Sequence, residues 1–163
     1  MKRYFFLTVI FLFLCMNCGS TNKKFKLLWI DASANFSRLN SRKSIISILD
    51  KIDAAGVNGV IIDVKPISGE VLYPSKIAPQ VFTWEGYTRD KDFDYLGIIL
   101  QEAHNRDLKT YIAINVFSEG WKEHRRGPVY WDYHEWTTII YTPEGIMPIT
   151  EHPSGYAAFI NPA

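Results

Sequence analysis

Three short apolar runs recur along the chain, each bounded by turn or polar residues. The first is Leu27-Leu28-Trp29-Ile30-Asp31-Ala32, apolar until the aspartate near its end. The second is Val60-Ile61-Ile62-Asp63-Val64-Lys65, set between Gly59 and Pro66. The third runs from Thr110 to Phe117. Runs of this length and β-branched content predict strands, the second one buried on both faces. Between them the period changes. Ile45, Ile48, Leu49 and Ile52 fall at i, i+3, i+4, i+7 and predict a helix capped by Asn40 or Ser41 and ended at Gly56. Leu96, Ile99, Leu100 and Ala103 predict a second helix from Asp94, its cap, to about Arg106. Strand, helix, strand, helix, strand is the order of a parallel sheet with right-handed crossovers, so the fold class is α/β. The connection from Pro66 to Asp92 is long for a strand-to-helix loop and reads as functional. After Phe117 the periodicity dissolves into an aromatic-rich stretch. Within it, Thr137 to Tyr141 and Gly145 to Thr150 predict a hairpin.

Alternation then assigns faces. Val60, Ile62 and Val64 are purely aliphatic, as are Ile112, Ile114 and Val116, and these faces are expected to meet helices. The opposite faces carry Trp29 and Asp31, then Asp63 and Lys65, then Tyr111, Asn115 and Phe117. Polar residues therefore gather at the C-terminal ends of successive strands. In a (β/α)8 barrel that is the inside of the mouth, where sites are built. A doubly wound sheet also puts its site at strand C-termini, but it has helices on both faces. No Gly-rich loop follows any strand, which leaves dinucleotide and P-loop readings without support.

Composition adds limits. The chain has 163 residues with a formal net charge of +1, which favours a globular domain and gives no support for nucleic-acid binding. Lys2 and Arg3 precede an apolar run from Tyr4 to Met16, too short to span a membrane comfortably, so residues 1–18 read as a signal peptide and 19–26 as a tether. Both cysteines, Cys15 and Cys18, lie at the end of that run. Cys18, followed by Gly19 and Ser20, is the better candidate for lipidation. An ordinary secretory signal with incidental cysteines is the alternative. Export to the cell envelope is expected either way, with a lipid anchor in the first case. Residues 27–163 then hold no cysteine, hence no disulfide framework and no thiolate metal site.

Taken together, Trp29-Ile30-Asp31, Asp63-Val64-Lys65-Pro66, Tyr73-Pro74-Ser75-Lys76, Phe93-Asp94 leading to Glu102-Ala103-His104, Tyr111 to Asn115, and Asn161-Pro162 form an ordered set. In this set the chain resembles the glycosyl-hydrolase-like family 10 group of exported bacterial proteins. The resemblance covers Leu27 to Ala163 and implies a TIM-barrel-like fold related to glycosidases. A full barrel takes about 250 residues, so the first three to four βα units are expected here. The chain departs from the family pattern at Tyr95, where a proline is usual, and at Asp107, where a glycine is. The resemblance also implies that the main acid sits on a strand beyond Ala163.

Glycoside hydrolysis usually uses two carboxylates about 5–10 Å apart. Asp31 and Asp63, at neighbouring strand ends, are the candidate catalytic pair. Alternatively, Asp63 pairs with Lys65 or an adjacent strand and orders the mouth. Lys65, Tyr73 and Asn115 are the candidate substrate contacts, since an ammonium or amide can bond sugar hydroxyls and a phenol ring can stack on a pyranose. Glu70 reads equally as a solvated or a functional side chain. His104 reads as a hydrogen-bonded structural residue. His124, His134 and His152 lack metal-ligand spacing, and no cofactor is expected. The aromatics from Trp121 to Trp136 read as a sugar platform or, more commonly, as a lid or core. Two functions follow: a glycosidase-like hydrolase of polysaccharide or cell-wall glycan, or a non-catalytic carbohydrate-binding surface lipoprotein.

Overall fold

The computed structural model describes residues 24–31 and 33–153, with the backbone alone of Ala157–Phe159. The expected signal segment with Cys15 and Cys18, most of the tether, and Asn161-Pro162 lie outside the described residues. Strand β1 (Leu27–Ile30) leads through a turn-rich loop to helix α1 (Arg42–Ala54), and β2 (Gly59–Lys65) follows. A small hairpin of β3 (Thr83–Trp84) and β4 (Tyr87–Thr88) sits inside the long loop before α2 (Tyr95–His104). Strand β5 (Lys109–Ile114), β6 (Ser118–Trp121), the short helix α3 (Pro128–Trp131) and a single 3-10 turn, His134–Trp136, come next. A hairpin of β7 (Ile139–Thr142) and β8 (Gly145–Pro148), then β9 (Ala157–Phe159), complete the order.

The centre is a three-stranded parallel sheet in the order β1-β2-β5. Trp29, Ile61 and Tyr111 stand abreast, as do Ile30, Ile62 and Ile112. Helices α1 and α2 begin where short polar side chains can satisfy their orphan amides. Ser41 closes a capping box with Ser44, and Asp94 accepts from the Gly97 amide at 2.9 Å. Ile45, Leu49 and Ile52 of α1 and Ile99 and Ala103 of α2 enter one core with Ile30, Val60, Ile62 and Val64. The helices thus cover a single face of β2, whose interior residues are sealed on that side. On the opposite side Trp29 and Tyr111 of the flanking strands are exposed, while Ile61 of β2 is half-buried and Asp63 buried.

One expected face is not covered. Ile112, Ile114 and Val116 are all about half exposed rather than packed under a helix. Ile112 and Ile114 do alternate onto one side of β5, but Val116 lies past the strand's end, and alternation could not say what lies over β5. The strand also ends at Ile114, earlier than the apolar run. Asn115 donates from its backbone amide and from Nδ2 to the same Lys65 carbonyl, and the ladder stops there.

An ionic clamp fixes the two helices together. Arg42 of α1 donates to Glu102 of α2 at 2.6 Å, while Arg106 bonds Glu102 at 3.1 Å and Asp50 of α1 at 2.6 Å. The Arg106 hydrogen bond, aided by Arg42, holds the Glu102 carboxyl below its usual 4.5. A depressed carboxylate contributes stability that is present above that value and is lost as pH falls through the lower native one. Glu102→Gln is therefore expected to flatten the acid limb of a urea-midpoint against pH curve; an unchanged limb would place the acid sensitivity elsewhere. His104, at the end of α2, shares a 3.0 Å hydrogen bond with Thr110 Oγ1.

Candidate functional site

The site is built where two loops leave the C-terminal ends of β2 and β5 and lock together. Leu72 donates to the Val64 carbonyl, so the loop after β2 folds back over its own strand. Ser118 Oγ donates to the Ile67 carbonyl at 2.7 Å. Arg126 forms a bidentate pair with Glu70, Nη2 reaching Oε1 at 2.8 Å and Nε bonding Oε2, while Nη1 donates to the Thr83 carbonyl at 2.7 Å. Planar fork-to-fork pairing of this kind fixes geometry as well as charge. Glu70 is buried, at 3% exposure. That burial, against a partner 56 residues away which sequence spacing did not reveal, excludes the solvated alternative for Glu70.

Glycine makes the closest approaches possible. Gly69 at φ 81° lies against Glu119, and Gly127 at φ 111° lies against the backbone of Ser68, Glu119 and Gly120. Both positions combine left-handed backbone with no room for a Cβ.

Lys65 is the hub of the joined loops. Its Nζ donates to the Asn115 carbonyl at 2.7 Å, the Ser118 carbonyl at 3.0 Å and Glu119 Oε1 at 2.6 Å. All three ammonium hydrogens have an acceptor, so the charge is fully committed. Beside it opens a cleft of about 340 Å³ lined by Lys65, Glu119, Pro128, Tyr133, Trp136 and Ile77 to Pro79. The Tyr133 and Trp136 rings stack at 4.0 Å and 16°, both substantially exposed. A rigid aromatic pair beside an ion-paired carboxylate offers a π face for C–H groups and acceptors for hydroxyls.

The candidate residues fall in different places. Lys65 lines the cleft, and Asn115 braces it through the Lys65 carbonyl. Asp63 is buried just behind, its Oδ1 accepting from the Lys65 amide at 3.3 Å. Asp31 is exposed at the end of β1, where Oδ1 accepts from the Ala34 amide at 2.7 Å and shapes the following turn. Tyr73 packs against the core and is not among the residues lining this cleft. In that core, the buried Tyr95 has its phenol pushed up by burial, with Arg89 opposing and Asp63 and Asp31 adding to the rise. Tyr133 and Trp136 belong to the Trp121–Trp136 aromatics that the sequence offers as a sugar platform or as lid or core, whereas nothing in the sequence pattern singled out Glu119.

A profile of the family described as Glycosyl hydrolase-like 10 matches residues 24–127, more than half of the chain. The chain belongs to that family. The match takes in β1 through β6, and with them Asp31, Asp63, Lys65, Tyr73, Asn115 and Glu119. Among relatives of the Glycosyl hydrolase-like 10 chain, the glycosyl hydrolase DigH of Escherichia coli is 34% identical over 92 residues, 53% of this chain and 21% of its own length. The glycosyl hydrolase YngK of Bacillus subtilis is 24% identical over 112 residues, 61% of this chain and 21% of its own. An S-layer-related protein of Niallia circulans is 25% identical over 154 residues, covering 88% of this chain and 10% of that protein. The chain thus spans about a fifth or less of the length of these family relatives.

Proposed function

We propose that the chain contributes to an exported glycosidase-like hydrolase acting on O-glycosidic bonds of polysaccharide or cell-wall glycan. The observation that carries this reading is the Lys65–Glu119 cleft with its stacked Tyr133–Trp136 wall, at the C-terminal end of a parallel strand. Two relatives named as glycosyl hydrolases support the chemical class. Two helices on one face of a parallel sheet, with Trp29 and Tyr111 exposed on the other, suit one wall of a (β/α)8 barrel, with residues 27–163 supplying its first βα units. Export, with Cys18 as lipid anchor, rests on the N-terminal sequence pattern.

In this reading Glu119 places negative charge where an oxocarbenium-like transition state needs it. Lys65 holds the carboxylate in position, and Asp63 is the second acid behind the strand end. Asp31 orders the β1 loop at the rim. The test is release of reducing ends from a set of insoluble glycans, with Glu119→Gln and Asp63→Asn as variants. Loss of rate by about a hundredfold or more, with glycan retention unchanged, is expected for a group acting in the transition state. Equal rates in wild type and Glu119→Gln would sink the assignment.

A second reading is favoured by one observation. Glu119 is engaged by Lys65 on one oxygen, which suits a binding surface as well as a catalyst. A non-catalytic carbohydrate-binding surface protein predicts glycan retention with no product in the same assay.

A further inference from the structure

A second cleft lies on the same pair of locked loops and shares no residue with the first. It has a volume of about 650 Å³, within the range of small-molecule sites. Its walls are the β3–β4 hairpin tip, the turn from Trp121 to Arg126, and Trp131. None of Asp31, Asp63, Lys65, Tyr73, Asn115 or Glu119 lines it.

Its back is rigid. Trp84, 4% exposed, stacks on Trp121 at 4.7 Å and 18°, and His124 covers Trp121 at 4.0 Å. The Arg126 guanidinium stands 5.4 Å from the Trp84 ring centroid while its nitrogens hold Glu70 and the Thr83 carbonyl. The hairpin tip is a two-residue turn with φ 48° at Glu85 and 82° at Gly86, the left-handed pair that matches strand twist. Against this fixed wall, Trp131 is 46% exposed. An aromatic side chain held on a short helix and left half open loses little freedom on contacting a ligand.

The polar groups around the opening carry both signs: Arg125 on one turn and Glu85 on the other, both exposed, with Thr83 and His124 beside them. An anion would meet Glu85 and a cation would meet Arg125. A ring bearing hydroxyls, each able to donate and accept, satisfies both. The C–H face of such a ring carries the partial positive charge that an indole π face attracts. We propose that this cleft is a glycan-binding subsite for a neutral pyranose ring, seated on Trp131 and hydrogen-bonded by Arg125 and Glu85. This rests on the glycan-directed reading above and adds to it a second place of contact, separate from the Lys65–Glu119 cleft.

The test is binding measured apart from cleavage. The full chain is titrated by calorimetry with four neutral hexasaccharides: cellohexaose, chitohexaose, xylohexaose and mannohexaose. At least one is expected to bind, with Trp131→Ala weakening it tenfold or more and Trp131→Phe about threefold or less. Arg125→Ala, at an exposed site, is expected to weaken it about three- to tenfold with unchanged circular dichroism. Failure of all four sugars to bind, or binding indifferent to Trp131→Ala, overturns the subsite. The same sugars are assayed for product. Trp131-dependent binding without product supports the subsite while removing the hydrolase reading; product with no Trp131 dependence does the reverse.

Discussion

Arg126→Ala is expected to lower stability by about 3 kcal/mol, the lower end of the cost of breaking a buried ion pair. The lower end applies because the Arg126 side chain keeps 21% exposure, whereas that of Glu70 keeps only 4%. The variant strands the Glu70 carboxylate inside the joined loops and removes the donor to the Thr83 carbonyl. It also uncovers one face of Trp84. Urea unfolding of the full chain measures the loss. Pairing Arg126→Met with Glu70→Leu should recover much of it, since the buried charge is then gone along with its partner. A single-variant loss below about 1 kcal/mol, the scale of an exposed pair, would mean that Glu70 finds water.

Gly127→Ala is expected to do at least comparable damage by a different route. A Cβ there would collide with the Ser68 carbonyl and stand 2.6 Å from the Glu119 carbonyl and 2.9 Å from Gly120 Cα. All three obstacles are backbone and none can rotate aside. The φ of 111° adds strain that L residues rarely tolerate. Together these predict a loss of about 3 kcal/mol or more, with the Lys65–Glu119 cleft deformed as the loops part. Gly145→Ala isolates the two effects. Its φ is 134°, yet nothing lies within 4 Å of an added Cβ, so only the backbone strain of about 1–3 kcal/mol remains. If the two glycine variants unfold at the same urea concentration, crowding at Gly127 is not the reason for its glycine.

Most of the sheet and helices were legible because their causes are local. Ser41 and Asp94 start helices with their own side chains, and Ile45, Leu49 and Ile52 declare a buried stripe within two turns. The hairpin of β7 and β8 was visible as two short runs, Thr137 to Tyr141 and Gly145 to Thr150, around Thr142-Pro143-Glu144. The site was less legible because its partnerships span long distances along the chain. Lys65 and Glu119 are 54 positions apart, Glu70 and Arg126 are 56, and no period links them. Asp63 and Lys65 looked like natural partners two residues apart on one strand. The structure instead sends the ammonium of Lys65 across to the loop after β5, through a register irregularity between Asp63 and Lys65. Tyr73 had the right chemistry for a sugar contact, but the fold turns it toward the core. Ile112 and Ile114 show the complementary limit: alternation names a face but not its cover.

Arg89 ties the rim to the order in which the chain assembles. Its guanidinium, buried enough for its pKa to be pushed down to about 10, lies 3.9 Å from the centroid of the Phe36 ring and 4.7 Å from that of Tyr95. Nη2 donates to the carbonyls of Phe36 and Leu39, in the loop that follows Asp31. Those contacts join segments about fifty positions apart. Closing so long a stretch of chain costs entropy before it returns any contact energy. The loop beside Asp31 therefore waits on the arrival of β4 and α2, even though β1 and α1 flank it in sequence. A chain growing from its N-terminus would carry the residues of β1 and α1 long before the contacts that shape that corner of the rim could form.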